Sequence, residues 1–248
     1  MEIFLCFFAA SLFSITSAIS YSSNIITASR INNVKKNVFN VNIYNNNQIK
    51  TTFTSTLIKE DADKLIFLTT SHSFKALNIN ESTVYNLSLK LIQFYNIKKE
   101  INLNSKITII YDNKDEDIAI FTINKTYEFN NITTNKNLNF NSFENKITQT
   151  NFLYSLGFVT LLDDNFNQSS HNLFFYLKEK ESEFLEPNLL FVKDIEYNSG
   201  SSGSPLIYKD NIIGIYLGKK INNSKLTPFF KLFSNTIVSA LINSLTHK

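Results

Sequence analysis

The hexapeptide Gly200-Ser201-Ser202-Gly203-Ser204-Pro205 leads into an apolar strand, Leu206-Ile207-Tyr208, and sets a serine on a tight turn between residues that lack a Cβ. The chain has only five glycines, and four of them, Gly200, Gly203, Gly214 and Gly218, fall in the stretch 200–218. Such clustering implies backbone dihedrals there that other residues avoid. A turn of this kind can present the Ser202 hydroxyl as a nucleophile and aim the N–H groups of Gly200 and Ser202 into one hollow able to hold an oxyanion. The same residues also fit a plain Ser/Gly turn ahead of a hairpin, so its partners decide. A serine needs a base, and the chain has three histidines. His247 is penultimate and His171 lies in the polar run Asn-Gln-Ser-Ser-His-Asn, both read as solvent-facing. His72 follows the apolar strand Leu65-Ile66-Phe67-Leu68-Thr69-Thr70, held by the scaffold yet open to a cleft. A base in turn needs a carboxylate. Asp112, Asp115 and Glu116 read as a solvated turn, whereas Asp117 abuts Ile118-Ala119-Ile120-Phe121 and is drawn inward, where a histidine N–H is a suitable partner.

Strands must carry these residues. Period-two alternation and β-branched or aromatic enrichment predict strands near 38–45, 49–58, 64–70, 84–95, 106–111 and 117–123. A polar stretch from Asn124 to Asn145 reads as a linker or surface crossing. A second set of strands is predicted near 152–160, 172–178, 188–193, 205–208, 211–218 and 226–233. Two runs of six strands predict an all-β fold of two antiparallel barrels. From Thr236 onward, Ile237, Val238, Leu241, Ile242 and Leu245 recur at helical spacing, predicting a terminal helix capped by Ser234 or Asn235 that docks on the core.

Composition narrows the classes. The 248 residues are 43% hydrophobic and 18% charged, which excludes a disordered tail, a fibre and a polytopic membrane protein. Formal net charge is +3, with no block of five or more Lys/Arg, so nucleic acid is not an implied partner. The apolar run Ile3 to Ile15 followed by Thr16-Ser17-Ala18 resembles a secretory signal peptide, and a start near Ile19 is expected for the exported chain. The only cysteine, Cys6, lies within that run, so cysteine nucleophiles and Cys-ligated metal sites are not expected after cleavage. No cofactor, metal or stable membrane span is expected. The organisation read from these features is a signal peptide over 1–18, an N-terminal barrel with His72 and Asp117 over 19–125, an Asn-rich linker over 126–150, and a C-terminal barrel with Ser202 and the terminal helix over 151–248.

Thr69-Thr70-Ser71-His72, then Asp117-Ile118-Ala119-Ile120, then Gly200-Ser201-Ser202-Gly203-Ser204-Pro205 resemble the three signature blocks of trypsin-like serine peptidases, in that family's order. The resemblance implies a chymotrypsin-like fold with the active site between two barrels. It also implies roles: Ser202 as nucleophile, His72 as general base and acid, Asp117 as the residue that orients the imidazole, and the N–H groups of Gly200 and Ser202 as the oxyanion hole. The block around Ser202 is closer to the high-temperature-requirement and glutamyl endopeptidase groups than to digestive trypsins, because Ser201 replaces the usual acidic residue. Ser73 stands where many animal members carry a cysteine. No PDZ-type domain follows the helix in the 248 residues, so regulation by such a domain is not expected. Glu196, Tyr216 and Gly218 are set by the resemblance around the substrate pocket. Glu196 either faces solvent in its loop or, at the pocket floor, favours Lys or Arg; Lys219 and Lys220 favour acidic residues, and Tyr216 replaces the histidine of glutamyl endopeptidases, so the charge arguments conflict. The function implied is hydrolysis of protein or peptide substrates by a secreted endopeptidase. The alternative is a secreted, catalytically inactive homologue that binds a partner through the same cleft.

Overall fold

The computed structural model describes residues 34–45, 48–77, 84–96, 100–132, 134, 138–143, 153–162, 168–177, 182–186, 188–192, 197–208, 211–222 and 225–246. The expected signal peptide, Glu196 and His247 lie outside them. The first half forms β1 (Val38–Asn45), β2 (Gln48–Glu60), β3 (Lys64–Thr69), β4 (Val84–Gln93), β5 (Glu100–Asn113) and β6 (Ile118–Asn124). These six antiparallel strands close into a barrel in the order β1-β2-β3-β6-β5-β4 and fall on the six expected. Side chains alternate between two cores, as the pleat requires. On β3 and β6, Leu65, Phe67, Ala119, Phe121 and Ile123 fill the barrel. Their neighbours Ile66, Leu68, Ile118 and Ile120 face outward into a second apolar cluster shared with Leu156, Phe158, Ile207 and Ile215 of the other half. Phe67 and Phe121 stack inside the barrel at 5.2 Å between ring centroids.

The second half forms β7 (Asn139–Phe140), β8 (Leu153–Leu162), β9 (Gln168–Leu177), β10 (Ser182–Glu186), β11 (Leu189–Val192), β12 (Pro205–Tyr208), β13 (Asn211–Asn222) and β14 (Lys225–Leu232). Their order is β10-β11-β14-β13-β12-β8-β9, with β7 parallel to β13. β7 and β10 are additions to the six strands expected. β7 is only two residues long and has no period to read. The Asn-rich stretch is more than a surface crossing: a 3-10 turn, Tyr127–Asn131, buries Phe129 in the first barrel, 5.9 Å from Phe39.

Ser234 caps the terminal helix α1 (Asn235–Thr246), its Oγ accepting the Ile237 N–H at 3.2 Å. Ile237 and Leu241 enter the shared cluster, which also holds Val38 and Ile58 of the first barrel. Lys59 of β2 donates to the Leu245 carbonyl at 3.4 Å, tying the helix's last turn to that barrel. Ile242, expected on the apolar stripe, is instead exposed, because it is turned about 100° from Leu241 around the axis. Among the described residues, no helix is long and apolar enough to cross a membrane.

Candidate active site

His72 lies on a 3-10 turn, Ser71–Leu77, that leaves the end of β3. Phe74 anchors this turn, buried in the barrel against Phe53 at 5.5 Å and Phe121 at 5.2 Å. The Ser73 hydroxyl pairs with that of Thr70 at 2.6 Å, and the Ser73 carbonyl accepts the Thr51 hydroxyl at 3.2 Å. Asp117 ends the hairpin turn between β5 and β6 with φ +54°, a left-handed conformation that Asp and Asn tolerate better than most residues. One of its oxygens accepts the His72 backbone N–H at 2.8 Å, and the other lies 2.6 Å from His72 Nδ1. On the far side of the ring, His72 Nε2 is 2.9 Å from Ser202 Oγ. Asp117 is less interior than the sequence predicts, with 27% of its side chain exposed, and His72, expected to open to a cleft, is 40% exposed; both ride on turns at the barrel rim. The rest of the acidic run is also not simply solvated. Asp112 accepts the Ser71 hydroxyl, and Glu116 pairs with Lys231 of β14, linking the two halves.

The turn that bears Ser202 is built on two left-handed glycines, Gly200 and Gly203, each at φ +87°. Ser201 occupies its interior, fully buried, and donates its hydroxyl to the Phe158 carbonyl at 2.9 Å. The Ser201 carbonyl accepts both the N–H and the hydroxyl of Ser204, at 3.0 and 2.6 Å. Neutral hydrogen bonds from a serine thus fix the turn. The Ser199 carbonyl accepts the Thr160 N–H at 2.8 Å, and the planar trans peptide then sends the Gly200 N–H to the opposite side. Among the described residues, neither the Gly200 nor the Ser202 N–H donates to a protein acceptor. Two backbone donors of the turn are therefore left without a protein acceptor among the described residues.

One residue of this assembly carried no sequence signal. Thr54, wholly buried on β2, uses its N–H and its hydroxyl to hold the Ser202 turn against the first barrel. Its N–H donates to the Ser202 carbonyl at 2.9 Å, and its hydroxyl donates to the Gly200 carbonyl at 2.8 Å. The same hydroxyl accepts the Phe158 N–H at 3.0 Å, and the Thr54 carbonyl accepts the Thr69 hydroxyl at 2.9 Å. In the run Thr51-Thr52-Phe53-Thr54-Ser55-Thr56, a β-branched residue looks like any other strand former. Thr54→Val keeps the shape but leaves the Gly200 carbonyl and the Phe158 N–H without that partner. A loss of about 2–3 kcal/mol in unfolding free energy is expected by urea titration, with Thr54→Ser recovering most of it. A valine variant as stable as the parent would refute the clamp.

β13 runs beside the turn: the Gly203 N–H donates to the Tyr216 carbonyl at 2.9 Å, and the Tyr216 N–H to the Ser204 carbonyl at 2.8 Å. Of the expected pocket residues, Tyr216 is adjacent to the turn, but its ring is buried, 4.6 Å from that of Tyr197 and 5.5 Å from Phe230. Gly218 follows at a bulge, where a Cβ would meet nothing within 4 Å. Glu196 is outside the described residues. Burial pushes the Tyr197 hydroxyl far above the usual tyrosine range, against the opposing hydrogen bonds from Ser155 and Ser204, and burial does the same to Tyr216. Both rings therefore stay uncharged. His171 is exposed on β9, opposite Val159 of β8. Among the described residues, no group of three or more His, Cys, Asp and Glu side chains is gathered to hold a metal ion.

No family model matches the chain, and no curated protein matches it in sequence. Its fold is nonetheless found among solved structures. A serine endoprotease from Yersinia pestis superposes with a TM-score of 0.50 at 15% sequence identity, over 88% of this chain and 66% of that one. The chain therefore spans just under two thirds of that protein's length. The closed six-stranded barrel, the second sheet and the terminal helix fit a chymotrypsin-like two-barrel fold.

Proposed function

We propose that this protein is a secreted serine endopeptidase that cleaves protein or peptide substrates through Ser202, His72 and Asp117. The observation that carries this reading is the continuous relay from Ser202 Oγ through the His72 ring to Asp117, with bonds of 2.9 and 2.6 Å. The fold shared with a bacterial serine endoprotease supports it at the level of architecture. With Nδ1 protonated toward Asp117, His72 Nε2 is free to accept the Ser202 proton as Oγ attacks the scissile carbonyl carbon. Charge that develops on the carbonyl oxygen is met by the N–H groups of Gly200 and Ser202, each such donor being worth roughly 2.7–4 kcal/mol in the transition state. The imidazolium then gives its proton to the departing amine, leaving Ser202 acylated. Water, deprotonated by the same Nε2, attacks the acyl carbon, and Ser202 leaves with that proton. Asp117 never takes a proton; it holds the ring and offsets its transient charge.

The test is labelling of the folded, signal-peptide-free protein with a fluorophosphonate that carries no amino-acid side chain, alongside Ser202→Ala. Stoichiometric labelling that the alanine variant abolishes is the expected result. A folded protein that the reagent does not touch would instead favour an inactive homologue that binds through this cleft.

A further inference from the structure

Resting on that reading, the surroundings of Ser202 also specify what the cleft accepts. With a scissile carbonyl at Ser202 Oγ, its oxygen on the Gly200 and Ser202 N–H groups, the leaving amine must lie at His72, which protonates it. The side chain on the acyl side is then directed away from His72. That region is bounded by the segment leading into the nucleophile turn, Tyr197 to Ser199, and by the stretch of β13 beside it, Tyr216 to Lys219. Two hydrogen bonds tie Tyr216 of β13 to residues 203 and 204 just past Ser202.

Side chains from the two walls meet, Tyr197 from one and Tyr216 from the other. Tyr197 and Phe230 are fully buried and Tyr216 is 2% exposed. Their rings meet edge-on or tilted at 4.6, 5.5 and 6.1 Å, a closed triangle joined to the core of the second sheet. The Tyr197 hydroxyl is anchored 2.8 Å from Ser155 Oγ, so this ring cannot swing aside without losing a buried hydrogen bond. Nearer the surface, Lys219 Nζ donates to Asn198 Oδ1 at 2.7 Å, a bond that spans from one wall to the other. At Gly218, on the β13 wall, a Cβ would meet nothing within 4 Å.

We infer that the Tyr197–Tyr216–Phe230 cluster closes the acyl-side pocket, so the enzyme cleaves after small residues: glycine, alanine or serine. The backbone of the substrate can lie along the open edge at Gly218, while a bulky side chain finds aromatic rings where it needs a cavity. A charged one finds no opposite charge among these three neutral rings.

The experiment measures inactivation of the wild-type protein by peptidyl diphenyl phosphonates that differ only in the acyl-side residue: alanine, leucine, phenylalanine, lysine or glutamate. The side-chain-free fluorophosphonate serves as reference. Alanine is expected to react at least ~10-fold faster than any of the larger residues. In Tyr216→Val, the leucine-to-alanine rate ratio should rise by about 10-fold, because the removed ring opens a cavity of aliphatic size. Should that variant fail to fold, the wild-type series decides alone. Fastest reaction with leucine, phenylalanine, lysine or glutamate would overturn the closed pocket while leaving the serine mechanism standing. A folded wild type that reacts with neither the phosphonates nor the fluorophosphonate would overturn both.

Discussion

Asp117→Asn is expected to lower kcat for peptide hydrolysis by about 10⁴-fold while the protein stays folded. The argument is one of hydrogen-bond polarity. Asp117 accepts twice from His72, once from its backbone N–H at 2.8 Å and once at Nδ1, 2.6 Å away. An asparagine has one accepting oxygen, which the backbone N–H claims. Its NH₂ then faces Nδ1, which must become an acceptor, and the imidazole proton moves to Nε2. A protonated Nε2 cannot take the proton of Ser202, so the nucleophile is not activated although no atom has moved far. Asparagine also tolerates the φ of +54° at this position, so the turn itself is kept. KM should change little, and the thermal midpoint should stay within a few degrees. A kcat within tenfold of wild type would contradict the assigned orientation of the ring.

Gly203→Ala is the second large effect, and it strikes stability first. A Cβ here would lie 2.2 Å from the Thr54 carbonyl oxygen and 2.4 Å from Thr69 Oγ1, on a residue held at φ +87°. The carbonyl is backbone in the middle of β2 and cannot step aside. Left-handed strain of ~1–2 kcal/mol plus the forced separation of the two halves should together cost on the order of 4 kcal/mol. Displacement of the turn also carries Ser202 away from His72, so fluorophosphonate labelling should fall at least ~100-fold even below the unfolding midpoint, since a misplacement near 1 Å is enough. Urea titration together with labelling rates would check both parts. An alanine variant within about 1 kcal/mol of the parent would mean that the turn and β2 are not in contact as described.

The first barrel was legible because both faces of its central strands are buried. Apolar runs such as Leu65 to Leu68 and Ile118 to Phe121 serve the barrel interior and the contact with the second half at once. Ser202, His72 and Asp117 could be singled out because chemistry needs particular residue types, and the scarcity of glycine marked the turn. What escaped was anything whose role depends on a distant partner. Thr54 differs from its neighbours only by what faces it 146 positions later. Asp112 and Glu116 read as solvated because Ser71 and Lys231, which engage them, are far along the chain. Tyr216 was expected to line an open pocket, yet its ring is packed with Tyr197 and Phe230, an outcome set by three-dimensional packing that no local pattern carries.

The Thr54–Gly200 bond also bears on the order of events in the life of each molecule. The residues it joins, like His72 and Ser202 at a separation of 130, belong to opposite halves of the chain. A first barrel that has already folded on an emerging chain holds His72 and Asp117 but not Ser202. The turn that bears Ser202 is made well after that barrel and has nothing to dock on unless the barrel is complete. Contacts of such long range also form late and slowly. A partly made or partly folded copy thus lacks the assembled relay of Asp117, His72 and Ser202, which exists only in the finished tertiary structure.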